Sequence, residues 1–338
     1  MPYTTGEARD WAREHLKGVI NVIIPSFTTD LSGVNEAAVR NDVRKQLEHG
    51  FDGALLVSEV VITLDEYREF CDIAADEAAG RQIFVHHSCW SSLDQARDAL
   101  RIAEDTGAEL VLLGYPPTFY PTSEQDVYDY TKAICDCTRL GVMLFPVPTW
   151  GFGSRIHPSD IPVNLIRRLI DDCPNLVAIK AEGGAPSIMG VIECHRHFGQ
   201  EVVISCPLEW EMIPLAQVMP IELSATSDHE YYGSTVPRVF EHLRAGEYDE
   251  ASEIFWAMQP ARRAKTGVAP IAHGLGLINR MVWKYQAWLQ GYSGGPLRHP
   301  TMRIHDPQMN MLRKGLLDAG LLPANEPNNE FFVGRYPT

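Results

Sequence analysis

Eight short apolar runs recur in the first two thirds of the sequence, and a segment with helical periodicity separates most of them. A typical spacer is LDQARDALRIAEDT at residues 93–106, and the glycine that follows it ends the helical pattern. The runs lie at residues 19–24, 54–57, 83–85, 110–113, 142–145, 176–179, 202–204 and 221–223. Continuous apolar strands alternating with amphipathic helices indicate a parallel sheet that helices cover on its outer face. Eight such units predict an α/β fold, a (β/α)8 TIM barrel.

A doubly wound open sheet is the competing architecture. It usually has fewer strands and often a glycine-rich phosphate turn after the first strand. In this sequence the turn that begins at Pro25 contains no glycine before Gly33. This difference favours the barrel.

The pattern becomes entirely helical beyond residue 246, with helices predicted at residues 248–263, 271–289 and 307–319. We therefore predict an N-terminal helix at 1–17, the barrel at 18–246 and a C-terminal helical appendix packed on the barrel at 247–322. The last segment, 323–338, is polar and rich in proline, with a few aromatic residues, and we expect it to be a tail.

Charge and composition narrow the class of protein. The 338 residues include 29 basic and 44 acidic ones, and the net charge of -15 disfavours binding to nucleic acid or to an anionic membrane. The N-terminus lacks an apolar core of signal-peptide length and no segment has the length of a membrane span, so we expect a cytoplasmic protein. Seven cysteines without zinc spacing predict reduced thiols and no structural metal, and we expect no cofactor.

Lys180 ends the sixth apolar run, LVAIK at 176–180, where a strand buried on both faces has little room for an ammonium. Burial disfavours the charged form of a lysine, so that its amine can attack a carbonyl near neutral pH and form a Schiff base. Active sites of these barrels lie at the carboxyl ends of the strands, which is where Lys180 stands. The alternative is a lysine that reaches the rim or pairs with Glu182.

Other chemically active side chains follow the predicted strands. His86 and His87 are candidates for general acid–base catalysis, but adjacent strand residues point to opposite sides, so only one can face the barrel mouth. Tyr115 and Tyr120 could supply a phenol or could pack at the rim. The full set of candidates, with Lys180, His86, His87 and Glu182 as catalytic and the rest as substrate-binding, is Lys180, His86, His87, Glu182, Ser58, Glu59, Tyr115, Tyr120, Phe145, Thr226 and His229.

A metal site is an alternative use of some of these groups. His229 lies in the cluster DHEYY at 228–232, and this cluster with Glu59 and the two histidines offers common metal ligands. The ligands come from separate strands, however, and a lysine-based site needs no metal. We therefore predict none.

Several segments resemble the pyruvate-type class I aldolases, a family that includes dihydrodipicolinate synthase, N-acetylneuraminate lyase and the aromatic hydratase-aldolases. They are VIIPSFTTDLSGVN, TLDEYREF, WSSLDQARDALRIAEDTGAE, LVAIKAEGG and YQAWLQGYSGGPLRHPTMRIHDPQMNMLRKGLLDAGL, within residues 18–322. The segment LGYPPTFYPTSEQDVYDY is most similar to the hydratase-aldolases. The resemblance implies a TIM barrel, a homo-oligomer (dimer or tetramer) and Lys180 as the Schiff-base lysine.

The chain departs from that family at two places. The family usually has a Gly-Thr-Thr-Gly-Glu loop that holds the carboxylate of a 2-oxo acid, whereas this chain has VSEVV at 57–61, with Ser58 keeping one hydroxyl. The family's proton-relaying tyrosine is replaced by Phe145 in the segment FPVP. We expect another group to take over the proton transfer.

The sequence thus predicts a Schiff-base lyase of the aldolase or hydratase-aldolase type that acts on a 2-oxo acid or related small carbonyl compound through Lys180. A dehydratase or decarboxylase that uses the same imine is the alternative within this class. A family member that has lost catalysis and serves in binding or regulation is the alternative of another class.

Overall fold

Eight parallel strands form a closed barrel in sequence order in the computed structural model, which describes residues 2–151, 156, 161–184, 187–268 and 278–338. The strands are β1 (Gly18–Ile23), β2 (Gly53–Leu56), β3 (Ile83–Ser88), β4 (Leu110–Leu113), β5 (Gly141–Leu144), β6 (Leu176–Lys180), β7 (Val203–Ser205) and β8 (Leu223–Ala225). The predicted (β/α)8 TIM barrel is confirmed.

Helices follow the strands and continue to the end of the chain. They are α1 (Ala8–His15), α2 (Glu36–Glu48), α3 (Leu64–Ala78), α4 (Leu93–Asp105), α5 (Glu124–Cys137), α6 (Val163–Asp172), α7 (Ser187–Phe198), α8 (Met212–Ala216), α9 (Thr235–Ala245), α10 (Tyr248–Ala257), α11 (Gln259–Val268), α12 (Arg280–Trp288), α13 (Asp306–Asp318) and α14 (Glu330–Val333). None of the helices in the described part of the chain is long and apolar enough to cross a membrane.

Strand boundaries differ from the predicted runs by more than one residue at two strands. β3 continues to Ser88, which pairs with Leu113 of β4, so His86 and His87 lie inside the strand and not after it. β8 begins at Leu223, two residues later than predicted, because its pairing with β1 starts there. Polar residues occur at these strand ends, so a prediction based on apolar runs did not include them in the strands.

The predicted helix at 248–263 is two helices, α10 and α11, which are separated at Met258. Pro260 accounts for the break, because proline has no amide proton and its ring clashes with the carbonyl of the preceding turn. Of the helix predicted at 271–289, residues 271–277 lie outside the described part of the chain and α12 accounts for most of the remainder.

The chain divides into two compact units, of which the first comprises residues 1–20, 52–59 and 83–227. Within it, the N-terminal segment is anchored to the ends of several strands. The Tyr3 hydroxyl donates to the Glu109 carbonyl and accepts a 2.7 Å hydrogen bond from the Gly141 amide. The Arg9 guanidinium donates to the Leu176 carbonyl at 2.9 Å. These bonds tie the N-terminal segment to the chain at the beginnings of β4, β5 and β6.

The second unit comprises residues 21–51, 60–82 and 228–338. Its last segment, which we expected to be a tail, contains α14, and Phe331 in that helix is fully buried. The Asn35 side chain donates to the Tyr336 carbonyl at 2.7 Å, and the Arg335 amide donates to the Ser293 carbonyl at 2.9 Å. The few aromatic and basic residues of this polar segment thus hold it in place.

A cluster of ionisable groups is buried in the second unit. Asp42, Glu230, Lys284 and Tyr292 line a cavity of about 20 Å³. Burial, with Asp228 nearby, raises the pKa of Glu230 to about 8. Burial lowers the pKa of Lys284 to about 8, although its amine donates to the Pro25 carbonyl at 3.0 Å.

We expect Gly18→Ala to destabilise the protein by roughly 2 to 4 kcal/mol. Gly18 has φ of +90°, and an added Cβ would lie 1.9 Å from Asp52 Oδ2, the atom that accepts a 2.8 Å bond from the Val19 amide. Urea unfolding measures the loss. Gly33→Ala is the control, because its Cβ would meet no atom within 4 Å. Equal stability of the two variants would contradict the proposed strain.

We expect Glu230→Gln to flatten the decline in stability between about pH 4.5 and pH 8. The folded-state pKa of Glu230 is raised, so its contribution is fully present below the unfolded pKa and is lost as the pH rises through about 8. The variant should remove at most about 1.4 kcal/mol per pH unit from the slope of the unfolding free energy against pH. Urea unfolding across this range measures it, with the exposed Glu253→Gln as control. An unchanged slope in Glu230→Gln would rule out this contribution.

Candidate active site

Lys180 is the last residue of β6 and pairs with Ser205 of β7. Only 5% of the residue is exposed. Its amine lies 3.7 Å from Glu182 Oε2 and 3.8 Å from the centre of the Phe145 ring. A carboxylate and an aromatic face both stabilise an ammonium, whereas burial disfavours it. Glu182 and Phe145 thus lie directly beside the buried Lys180 amine.

Backbone hydrogen bonds hold both neighbours of the amine. The Glu182 amide donates to the Pro146 carbonyl at 3.2 Å, which ties the segment after β6 to the segment after β5. The indole of Trp150 donates to the Phe145 carbonyl at 2.7 Å, and its ring meets the Phe145 ring edge to face. Glu182 and Phe145 are therefore positioned by the ends of strands, which are rigid elements.

An apolar pocket lies beside Phe145 in the first unit. Its volume is about 50 Å³, and Tyr115, Leu144, Phe145 and Trp150 are among its lining residues. The Tyr115 hydroxyl is 2.9 Å from Thr131 Oγ1, a hydrogen-bond distance, and Tyr115 is 7% exposed. Tyr115 is thus buried against α5. Tyr120 lies at the surface, with 69% of its area exposed.

A second group of polar side chains lies where β2 and β3 end. The Ser58 hydroxyl donates to the carbonyls of His87 and Cys89 at 2.8 and 3.1 Å, and the Ser58 amide donates to His87 Nδ1 at 3.3 Å. The Cys89 thiol donates to Glu59 Oε1 at 3.3 Å. Donor atoms of Glu59, His87 and Cys89 lie within 4.8 Å of one another, close enough to bind one metal ion.

Cys89 is a residue that sequence reasoning missed. It lies two residues after His87, which is the spacing of side chains on one side of an extended chain. That spacing was a usable signal, but its importance depends on Glu59, which comes from the neighbouring strand.

The two adjacent histidines differ in their surroundings. His86 is 1% exposed, and burial, with His87 beside it, lowers the pKa of His86 to about 3. His86 is therefore uncharged at neutral pH and poorly suited to exchange protons there. Of the pair, His87 alone shares a cluster with Glu59 and Cys89.

The remaining candidates follow β8. The Ser205 hydroxyl bridges to β8, since it donates to the Ala225 carbonyl at 2.8 Å and accepts from the Ala225 amide at 2.7 Å. The next residue, Thr226, is 2% exposed, and its buried hydroxyl has no hydrogen-bond partner among the described residues. His229 belongs to the second unit, where its amide donates to Asn21 Oδ1 at 2.8 Å.

Comparison with known proteins identifies the family of the chain. The model of the dihydrodipicolinate synthetase family matches residues 15–273. The chain belongs to this family. It is thus a lyase of the kind that the family contains, and the resemblance inferred from sequence segments is confirmed.

Individual relatives of the family are distant in sequence. The 4-hydroxy-tetrahydrodipicolinate synthase of Methanopyrus kandleri is 22% identical over 316 residues, which cover 91% of this chain and 98% of the relative. A probable 5-dehydro-4-deoxyglucarate dehydratase of Chelativorans sp. is 22% identical, with 87% and 93% covered. The solved structure of Proteus mirabilis N-acetylneuraminate lyase has a TM-score of 0.74 at 17% identity, with 91% of this chain and all (100%) of that chain covered, and supports the barrel fold.

We expect Thr226→Val to leave stability unchanged or to raise it by about 1 kcal/mol, because valine removes a buried hydroxyl that has no described partner. Thr131→Val is the matched control. It should destabilise by about 1 kcal/mol, since it removes the 2.9 Å hydrogen bond between the Thr131 and Tyr115 hydroxyls. Thermal unfolding of both variants measures the difference. If Thr226→Val loses more stability than Thr131→Val, the Thr226 hydroxyl makes a stabilising hydrogen bond in the unliganded protein.

Proposed function

We propose that the protein is a Schiff-base-forming lyase of the aldolase or hydratase-aldolase type, in which Lys180 condenses with a 2-oxo acid or a related small carbonyl compound. The observation that carries this proposal is the buried amine at the end of β6, 3.7 Å from a carboxylate and against an aromatic ring. A lysine in such a place can lose its proton near neutral pH and act as a nucleophile.

The reaction begins when the uncharged Lys180 amine attacks the substrate carbonyl carbon and forms a carbinolamine. Loss of water then gives a protonated imine, which is an electron sink. Electrons from a breaking carbon–carbon bond, or from a departing α-proton before elimination, flow to the imine nitrogen and give an enamine. After carbon–carbon cleavage, which releases a carbonyl compound, the enamine is reprotonated; in elimination the enamine instead expels a hydroxide that leaves as water. Hydrolysis of the imine then releases the product and restores the amine.

Glu182 is our candidate for the proton transfer that a tyrosine performs in relatives. Phe145 retains an aromatic ring against the amine but has no hydroxyl to donate or accept a proton. The Glu182 carboxylate is the nearby ionisable group, and its 3.7 Å separation from the amine would shorten as the carbinolamine forms. His87, which we also predicted as a catalytic group, is the second candidate.

The apolar surface beside Phe145 favours a substrate with an apolar portion. The relative described as a probable dehydratase supports elimination as the alternative outcome of the same imine. The two outcomes differ in which bond breaks at the carbon next to the imine. Cytoplasmic location and homo-oligomeric assembly remain part of the proposal, and the acidic net charge is consistent with the former.

We expect borohydride to trap an imine at Lys180 when the protein is incubated with pyruvate, phenylpyruvate or acetone. Reduction makes the new carbon–nitrogen bond permanent, so peptide mass mapping locates the modified residue. The variant Lys180→Gln should give no adduct. Absence of adduct at Lys180 with all three compounds would refute the proposal.

Lys284 provides an internal control in the same peptide map. It is also buried, at 3% exposed, and its pKa is lowered to about 8, so burial alone would favour its modification too. The proposal requires the adduct at Lys180 and not at Lys284. If an adduct at Lys284 persists in Lys180→Gln, borohydride trapping detects buried amines in general and does not identify an active-site lysine.

A further inference from the structure

We propose that Glu59, His87 and Cys89 form a binding site for a divalent metal ion of the Zn²⁺ type. The three residues lie after β2, near the end of β3 and directly after β3, respectively. Their donor atoms lie within 4.8 Å of one another. Its three ligands are distinct from Lys180, Glu182 and Phe145, and the proposal does not depend on the proposed lyase reaction.

The donor set suits an ion of intermediate softness. Glu59 offers a carboxylate oxygen, His87 an imidazole nitrogen and Cys89 a sulfur. Zn²⁺ binds all three kinds of atom, whereas Mg²⁺ and Ca²⁺ prefer oxygen ligands alone. A cysteine and a histidine together therefore indicate Zn²⁺, or Co²⁺ as its spectroscopic substitute.

The distances agree with coordination of one ion. With metal–sulfur bonds near 2.3 Å and metal–nitrogen or metal–oxygen bonds near 2.1 Å, tetrahedral ligands lie about 3.4 to 3.6 Å apart. Cys89 Sγ and Glu59 Oε1 are already 3.3 Å apart. Small rotations of the side chains would bring the third donor from within 4.8 Å to that distance.

Ser58 positions the backbone of both β3 ligands. Its hydroxyl donates to the carbonyls of His87 and Cys89, at 2.8 and 3.1 Å. One side chain at the end of β2 thus joins the end of β3 to the segment that carries Glu59. Ligands held on strand ends in this way need less reorganisation to bind an ion.

Metal binding would replace two weak hydrogen bonds, each 3.3 Å long. The thiol proton that Cys89 donates to Glu59 Oε1 occupies the space between two candidate ligands, and a cation would take its place. His87 Nδ1 accepts a 3.3 Å bond from the Ser58 amide, which is long for an amide donor. Coordination through either ring nitrogen gives up this bond in exchange for a stronger one to the metal.

Three protein ligands leave a fourth position on a tetrahedral ion for water or an anionic oxygen, as in catalytic zinc sites. The carboxyl ends of β2 and β3, where this position would be, are on the functional face of a TIM barrel. Glu59 and its neighbours replace the loop that holds a substrate carboxylate in relatives. A metal ion would supply positive charge at that place.

We expect the full-length protein, titrated with Co²⁺ under reducing conditions, to bind one equivalent. The readout is the near-ultraviolet charge-transfer absorption that a thiolate–cobalt bond produces, and Zn²⁺ should displace it. Cys89→Ser should abolish this absorption, whereas Glu59→Gln and His87→Gln should weaken binding by about tenfold or more. Circular dichroism verifies that each variant is folded.

Cys137→Ser is the control, because Cys137 is an exposed thiol on α5. It should leave the cobalt spectrum unchanged. Absence of a thiolate–cobalt band in the wild-type protein would overturn the proposal without reference to any variant. A band that survives in folded Cys89→Ser would also overturn it. These results are independent of imine trapping at Lys180, so either proposal can fail alone.

Discussion

Closure of the barrel between β8 and β1 is the constraint on which the other features of the structure depend. Gly18, Val19 and Ile20 pair with Leu223, Ser224 and Ala225, so that the eight parallel strands have no free edge. Every strand then delivers its carboxyl end to the same face. Closure also explains the conformation of Gly18, where the chain enters β1 against the Asp52 carboxylate.

The Lys180 site combines opposing electrostatic effects. Burial alone would expel the proton from the amine, but Glu182 and the Phe145 ring each favour the ammonium. A Schiff-base lysine has to pass through both states, since it attacks as an amine and works as a protonated imine. Neighbours that stabilise positive charge at the amine, as Glu182 and Phe145 do, suit that cycle. In the proposed reaction, Phe145 in place of the family tyrosine changes how protons move, and Lys180 remains the nucleophile.

Much of the fold could be predicted because strand and helix periodicities are local properties of the sequence. Lys180 was recognisable for the same reason, as a charge that ends an apolar run. Contacts between distant segments were not predictable in this way. The burial of Phe331 depends on the packing of the second unit, and the association of Cys89 with Glu59 depends on which strands are neighbours. The break between α10 and α11 could have been predicted from Pro260, but the helical periodicity of the segment indicated one continuous helix.

The buried cavity of the second unit has a consequence for how the protein responds to alkaline conditions. Glu230 loses stabilising influence as the pH rises toward about 8, whereas Lys284, whose pKa is lowered to about 8, regains it above that value. With rising pH, the contribution of Glu230 to stability therefore falls up to about pH 8, and that of Lys284 rises above about pH 8. The sum of these two contributions has a minimum there. In mildly alkaline buffers, which are common in purification, the combined contribution of Glu230 and Lys284 to the stability of this unit would be at its lowest.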